Sequence, residues 1–359
     1  MASNERTNDP IMTGKSNDPT SQDNDSSTGN LPLVDDNDDS ADTDSAIGGL
    51  SNSSSAQSLN SSLYGHVEEN GRTYHRFKEG KYPLPNDETE QERLQIQHTL
   101  FDVTLRGKLY LAPIGENPEH VLDIATGTGV WAIEFAEQHP KSNVIGTDLS
   151  PIQPLYVPSN LRFEIDDAED EWIFPHSFNF IHGRALITCF TDPSLLIRSA
   201  FNSLAPGGYL ELQDLCFPPQ YIGPPPTHTA FYKWSILCTE GAAASGRPWD
   251  NSLNYKRWMQ EMGFEEVVEE KFPWPVNTWA KGAYFKEIGG YVLRDLANGL
   301  EGLSLKVLGR LGWKAEEVRL LVEEVRRDLY NTDIHAYLRV NVVYGRKPGG
   351  KPKESTSMS

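Results

Sequence analysis

The chain has 359 residues, a formal net charge of −19 and 38% hydrophobic residues, with a mean hydropathy of −0.51. An acidic chain excludes a broad phosphate-backbone surface, which needs clustered Lys and Arg, so no direct nucleic-acid partner is expected; a basic protein partner stays open. Three widely spaced cysteines (Cys189, Cys216, Cys238) make neither a disulfide framework nor a zinc pattern, so they are expected as reduced thiols and no metal is expected.

Residues 1–62 hold eleven acids against Arg6 and Lys15, no aromatic residue and few branched apolar ones. Such a segment cannot bury enough apolar surface to offset its conformational entropy, which predicts a disordered acidic tail. The N-terminus has no apolar signal core, Ala2 excludes myristoylation, and no apolar run is long enough to span a bilayer. The expectation is a protein of the cytoplasm or nucleus, neither secreted nor in a membrane.

Order is expected from about residue 63. Tyr64, Tyr74, Phe77 and Tyr82 punctuate a Gly- and charge-rich arm and read as anchors to a folded body. Asn86 and Asp87 precede Glu88 and Glu90, a helix start with acids in its first turn. Leu94, His98, Phe101, Leu105 and Leu109 then follow at helical spacing, and Pro113 and Gly115 stop the helix. Arm and helix together span 63–115.

A cofactor-binding half is expected at 119–216, where strand and helix signals alternate. Strands are predicted at 121–124, 143–147, 161–165, 178–182 and 209–215, and helices at 130–137 and 193–204. This order predicts an α/β fold: a Rossmann-like, doubly wound, mostly parallel sheet with helices on both faces. Residues 217–226, rich in proline, read as a stiff extended loop. Helices are predicted at 228–244, 252–262, 284–311 and 314–330, and strands at 264–272 and 340–345, the latter closing the sheet. The part from 217 to 335 thus reads as a helical lid insertion with the last strands. Its aromatics (Phe217, Tyr221, Phe231, Tyr232, Trp234, Trp249, Trp274, Trp279) suit a lid over an aromatic or terpenoid acceptor and equally suit a helix-on-sheet core. The domain closes at about 347, and 348–359 reads as a flexible tail.

The stretch Val121-Leu-Asp-Ile-Ala-Thr-Gly-Thr-Gly-Val-Trp-Ala132 organises this pattern. It reads as strand, tight turn and helix. Gly127 and Gly129 remove the Cβ atoms that would hold a ligand off the turn, and the helix aims its free N–H groups at that point. Gly127-Thr-Gly129-Val-Trp-Ala132 also fits the dinucleotide pattern G-x-G-x-x-A, so the loop alone does not choose NAD over another adenosine cofactor. Three neighbours do: Asp123 at the strand end, Asp166-Asp167-Ala168 after the third strand, and Pro206-Gly207-Gly208 between helix and strand.

In this order, D-x-A-x-G-x-G at 123–129, an acid at 148, D-A at 167–168 and P-G-G at 206–208 resemble class I S-adenosylmethionine (SAM) methyltransferases. Ala125 departs from a glycine common in that family. The resemblance implies SAM as cofactor: Asp148 for the ribose hydroxyls, Asp167 with the backbone of Ala168 for the adenine amine, and the Gly127-Thr128-Gly129 backbone with Ala125 against the ribose and methionine parts. It implies for Asp123 either orientation of the loop or contact with the methionine ammonium.

A narrower resemblance runs through Asn70-Gly-Arg-Thr-Tyr-His-Arg-Phe-Lys-Glu-Gly-Lys-Tyr82, Leu84-Pro-Asn-Asp87, Gln91-Glu-Arg93-Leu, Phe163-Glu-Ile-Asp-Asp-Ala-Glu-Asp-Glu-Trp172 and Phe178-Asn-Phe-Ile-His-Gly-Arg184. These segments are similar to fungal LaeA-like methyltransferases. That implies a role in fungal secondary metabolism, either methylation of a small-molecule acceptor or nuclear regulation through velvet-type protein partners. His182 and Arg184 follow the fourth strand at the edge where the methyl group should point. His182 reads as a base or acceptor orienter, or as a structural histidine; Arg184 as a ligand for an acidic substrate, or as a partner for an acid of 166–171. Tyr74 and Tyr82 fold over the cofactor or pack without touching it, and His228 reads as a surface residue.

Overall fold

The computed structural model describes residues 65–349. The predicted acidic tail, Tyr64 and residues 350–359 lie outside the described residues. Among the described residues a hairpin opens the fold: β1 (His66–Glu69) pairs antiparallel with β2 (Arg72–His75) within the Gly- and charge-rich arm, where no strand is predicted. Asn70 and Gly71, both at positive φ, form its two-residue turn. Helix α1 (Glu88–Leu105) follows, its Asp87 side chain accepting from the Glu90 N–H as an N-cap. The helix stops at Arg106 and Gly107, both left-handed, and not at Pro113; Leu109 is buried beyond its end.

The alternating part forms as expected: β3 (His120–Ile124), α2 (Val130–Gln138), β4 (Asn143–Asp148), β5 (Leu161–Ile165), β6 (Phe178–Arg184), α3 (Pro193–Ser203) and β7 (Leu204–Tyr221). After them come α4 (Ala230–Ala244), α5 (Tyr255–Met262), β8 (Glu265–Pro275), α6 (Ala283–Gly309), α7 (Ala315–Leu329) and β9 (Ala336–Arg346). Seven strands form one sheet in the order β5-β4-β3-β6-β7-β9-β8. All neighbouring pairs from β5 to β7 are parallel, and β9 runs antiparallel to both β7 and β8. The last strand therefore slots between β7 and β8 and does not close an edge. Strand order reverses between β3 and β6, so the crevice for a ligand opens above their carboxyl ends.

The predicted proline-rich loop is strand in its first part, and the strand before Trp279 runs longer than predicted. Residues through Tyr221 continue β7, which bulges after Cys216 and rejoins β9 at Gln220–Tyr337, and Pro273 to Pro275 end β8. Prolines suit such places because they break a ladder only where a bulge or an edge already does.

The packing forms three apolar clusters. On one sheet face Trp131, Ala132 and Phe135 of α2 cover Val121, Val144 and Phe180. On the other, α3 and α5 place Leu196, Ile197 and Met259 over Ile124, Ile145 and Ile181. The third cluster joins Leu100 and Phe101 of α1 to Trp234, Leu296, Leu300, Val318 and Val325 of α4, α6 and α7. The expected lid is thus a helical cap built around the N-terminal helix, and most of its aromatics are core. No helix among the described residues is long and apolar enough to cross a membrane.

Arg93 ties α1 to α6 inside this cap. Its Nε and Nη2 donate to Glu90, and its Nη1 donates to Asp295 at 2.7 Å, all three side chains being buried. Removing one partner from a buried ionic cluster leaves charges without compensation. Arg93→Met should lower unfolding free energy by about 3–5 kcal/mol in urea titrations, and adding Glu90→Gln with Asp295→Asn should recover most of it.

Candidate active site

The loop after β3 is wound tightly. Ala125, Gly127 and Gly129 have φ of 52°, 60° and 79°, in the left-handed region. The Thr126 N–H donates to the Thr147 carbonyl, and the Gly129 N–H to the Thr126 carbonyl. The Gly127 N–H donates to Asp148 Oδ2 at 2.8 Å, and the Ser150 N–H donates to Asp148 Oδ1 at 2.8 Å. Desolvation pushes the Asp148 carboxyl up to about 6 against those stabilising bonds. Gly129 caps α2 without a side-chain bond, so the first turn keeps free N–H groups.

Asp123 is buried beneath this loop with both oxygens engaged. Thr126 Oγ1 donates to its Oδ2 at 2.5 Å, and His182 Nδ1 lies 2.7 Å from its Oδ1. A carboxylate only accepts, which sets the proton on His182 Nδ1. Burial lowers the His182 pKa, so the ring is neutral. The ring stacks on Trp131, 3.7 Å between centroids and 7° between planes, and has 0% exposed surface. Its Nε2 has no hydrogen-bond partner among the described residues, and neither has the nearby Gln213 Oε1. His182 lies within β6, opposite Asp123 in register, and not after the strand.

Arg184 also belongs to β6. No acid of 166–171 pairs with it. Its Nη2 sits 2.9 Å from His98 Nδ1, and its guanidinium lies 5.0 Å from the Phe101 ring centre. His98 Nε2 in turn lies 3.1 Å from Glu134 Oε1. Burial pushes the His98 pKa down to about 4, so it bridges the two as a neutral ring.

At the end of β5 the buried Asp167 takes an ion pair from Lys81 of the N-terminal arm, and Lys81 reaches Glu169 at 3.2 Å. The Glu169 N–H donates to Asp167 Oδ1 at 3.0 Å. Lys78 adds a bond to Asp170. Nothing local in the sequence marks Lys81 or Arg93 for these roles, because ion pairs 86 and 202 residues apart leave no local pattern.

These groups meet in one cleft that opens to solvent. Its lining includes Asp123, Ala125, Gly127, Thr128, Asp148, Asp167, Ala168, His182 and Arg184, but not Gly129. A Cβ on Gly129 would overlap the Phe163 ring of β5, so this glycine serves packing under the loop. Tyr82 lines the cleft, whereas Tyr74 is buried elsewhere with Lys306 over its ring, and His228 is exposed. The cleft continues beyond the loop into a chamber walled by Ile187, Leu215, Phe217, Trp249, Leu296 and Leu303.

Comparison with known proteins gives this geometry a family. Residues 95–270 match the model of a methyltransferase domain. Over 304 residues the chain is 36% identical to "Methyltransferase pytC" of Aspergillus terreus, covering 83% of this chain and 93% of that protein. It is 35% identical over 261 residues to "Probable methyltransferase tdiE" of Emericella nidulans, covering 72% and 82%. It is 34% identical over 291 residues to "Secondary metabolism regulator LAE1" of Cochliobolus heterostrophus, covering 78% and 94%. The chain belongs to the LaeA-like methyltransferases. It is a SAM-dependent enzyme by class.

The cleft of this methyltransferase fits such a cofactor by the chemistry of its donors and acceptors. A half-buried strand-end carboxylate with spare lone pairs (Asp148), a second acid beside a free cleft wall (Asp167), and a loop without phosphate-binding lysine suit an uncharged ribose and an adenine. Ala125, like Ala185 elsewhere in the lining, is a non-glycine residue in the left-handed region, where a Cβ costs about 1–2 kcal/mol. Ala125→Gly should raise the unfolding free energy by about 0.5–1 kcal/mol in denaturant titrations. Gly129→Ala should lower it by more than about 2 kcal/mol, through strain and overlap with Phe163.

Proposed function

We propose that this methyltransferase acts on a compact, largely apolar small molecule of fungal secondary metabolism. The observation that carries this reading is the chamber continuous with the glycine loop, roofed by α1 and α6 and walled by Leu215, Phe217, Trp249, Leu296 and Leu303. An acceptor held there is aligned by shape and kept from water, and pytC, named as a methyltransferase, and tdiE, named as a probable one, match 83% and 72% of this chain.

In this reading Asp148 receives the ribose hydroxyls, Asp167 and the Ala168 backbone receive the adenine edge, and Ala125, Gly127 and Thr128 form the wall beside the ribose and methionine parts. Bound SAM supplies an activated methyl group with a neutral thioether as leaving group. Asp123 holds Thr126 and His182 in place beneath the loop. His182 has no surface through which to take a proton from an acceptor, so we assign it to positioning. Rate then comes from alignment and exclusion of water, effects that can supply most of the acceleration when the leaving group is good.

A second reading, a LaeA-like regulator working through velvet-type protein partners, is favoured by one surface feature. Leu155 and Tyr156 are 94% exposed and Ile173 is 86% exposed, all on the loops that flank β5 beside the cofactor wall. Incubation with labelled SAM and fungal extract separates the two. Label in an organic-soluble product supports the enzyme reading; label only on protein, or none despite tight SAM binding, sinks it.

Asp148 gives a pH signature to cofactor binding. Its ionised form accepts the ribose hydroxyls, and its pKa stands near 6, so binding is full above that pH and lost below it. The dissociation constant for S-adenosylhomocysteine should be flat from pH 7 to 8 and rise about tenfold between pH 7 and 5. Asp148→Ala should abolish binding by calorimetry; unchanged affinity refutes the ribose assignment.

A further inference from the structure

Three cationic side chains line the cleft, Lys81, Arg93 and Arg184. Lys81 is paired with Asp167 and Glu169, and Arg93 with Glu90 and Asp295. Arg184 has no carboxylate within 4.0 Å among the described residues. Among the described residues its polar partner is the neutral His98 ring, which hands the contact on to Glu134, and the face of Phe101 lies 5.0 Å from its guanidinium. A half-buried cation with no directly paired carboxylate is costly, and desolvation pulls its pKa down to about 10 against the more distant charges of Asp123 and Glu134. One N–H is used on His98, which leaves the guanidinium with free N–H groups of the fork that matches a carboxylate.

The sheet order says which carboxylate. Strands run β5-β4-β3-β6 across the crevice. With adenine at Asp167 of the β5 end and ribose at Asp148 of the β4 end, the rest of the cofactor extends toward β3 and β6. Ile124 pairs with Gly183 in register, so Arg184 stands level with the Ala125–Thr128 loop. The free first turn of α2 opens on the same loop. Both arrays favour negative charge.

We propose that Arg184 binds the carboxylate of the methionine half of SAM. The inference rests on the assignment of adenine and ribose to β5 and β4. It makes Arg184 a cofactor-binding residue and frees the chamber beyond it for an acceptor that needs no acidic group.

The test is calorimetry on the full chain with three probes: S-adenosylhomocysteine, its decarboxylated analogue, and 5′-methylthioadenosine, which lacks the amino-acid end. The wild type should prefer S-adenosylhomocysteine over the decarboxylated analogue by about 30-fold or more, the usual scale for a desolvated charge pair. Arg184→Met should weaken S-adenosylhomocysteine by a similar factor and leave 5′-methylthioadenosine unchanged, erasing the preference. Arg184→Lys should keep part of it. A wild type that does not distinguish the first two probes overturns the proposal without any variant. So does an Arg184→Met protein that keeps the preference, as it would if the guanidinium served an acidic acceptor instead. Equal weakening of all three probes assigns Arg184 a structural role and also overturns it. Asp148→Asn reports on the underlying site: if it binds 5′-methylthioadenosine like the wild type, the ribose assignment has failed, whatever Arg184 does.

Discussion

The buried Asp123 carboxylate holds the glycine loop to the sheet, and the site depends on it. One oxygen takes Thr126 of the loop and the other takes His182 of the neighbouring strand. The contact continues inward: His182 stacks on Trp131, whose Nε1 donates to the Leu109 carbonyl, where Gln213 Nε2 also donates. Gln213 reaches Glu211 at 2.8 Å, and Glu211 accepts the Leu111 and Ala112 N–H groups. Desolvation pushes Glu211 up to about 7, so the network stands in a region where an unpaired polar group is costly. A chain of partners this long sets the loop, two strands and the connection after α1 in one geometry.

The second organising feature is the way charge is distributed round the cleft. The acids and bases that line it are mostly consumed by one another across long sequence distances, Lys81 with Asp167 and Arg93 with Glu90 and Asp295. Those pairs also do mechanical work, since Lys81 fastens the N-terminal arm over the end of β5, and Arg93 fastens the first helix to the cap. Asp148 at one end of the crevice and Arg184 near the other keep hydrogen-bonding capacity that no ion pair uses. A cofactor with ribose hydroxyls at one point and a carboxylate at another matches that spacing in kind.

The cap shows why aromatic composition was ambiguous. Trp234 and Trp274 are buried in helix-on-sheet packing, with Nε1 groups donating to Ser304 and Thr104. Phe217 and Trp249 pack edge to face, and both reach the chamber wall. Apolar side chains of one kind thus serve both core and cavity, and only the direction in which the backbone presents each one separates the two.

Much of the fold was legible in the residues themselves. Strands β3 to β6 and helix α2 announce themselves through local apolar runs bounded by Gly, Asp and Pro, and the order of Asp123, Gly127, Gly129, Asp148, Asp167 and Gly207 points to the family because the glycines stand where the backbone takes positive φ and the acids at strand ends where their oxygens hold loop N–H or O–H groups. The β1–β2 hairpin, the end of α1 at Arg106 and the continuation of β7 through its prolines escaped, since they depend on pairing partners and left-handed residues that no periodicity marks. Tertiary structure alone decided the insertion of β9 between β7 and β8, the burial of His182 against Trp131, the loss of Gly129 from the cleft wall to Phe163, and the isolation of Arg184 from every carboxylate near it in sequence. Local sequence determines what a backbone segment prefers; which charges meet, and which is left facing the cleft, is settled by contacts between segments far apart in the chain.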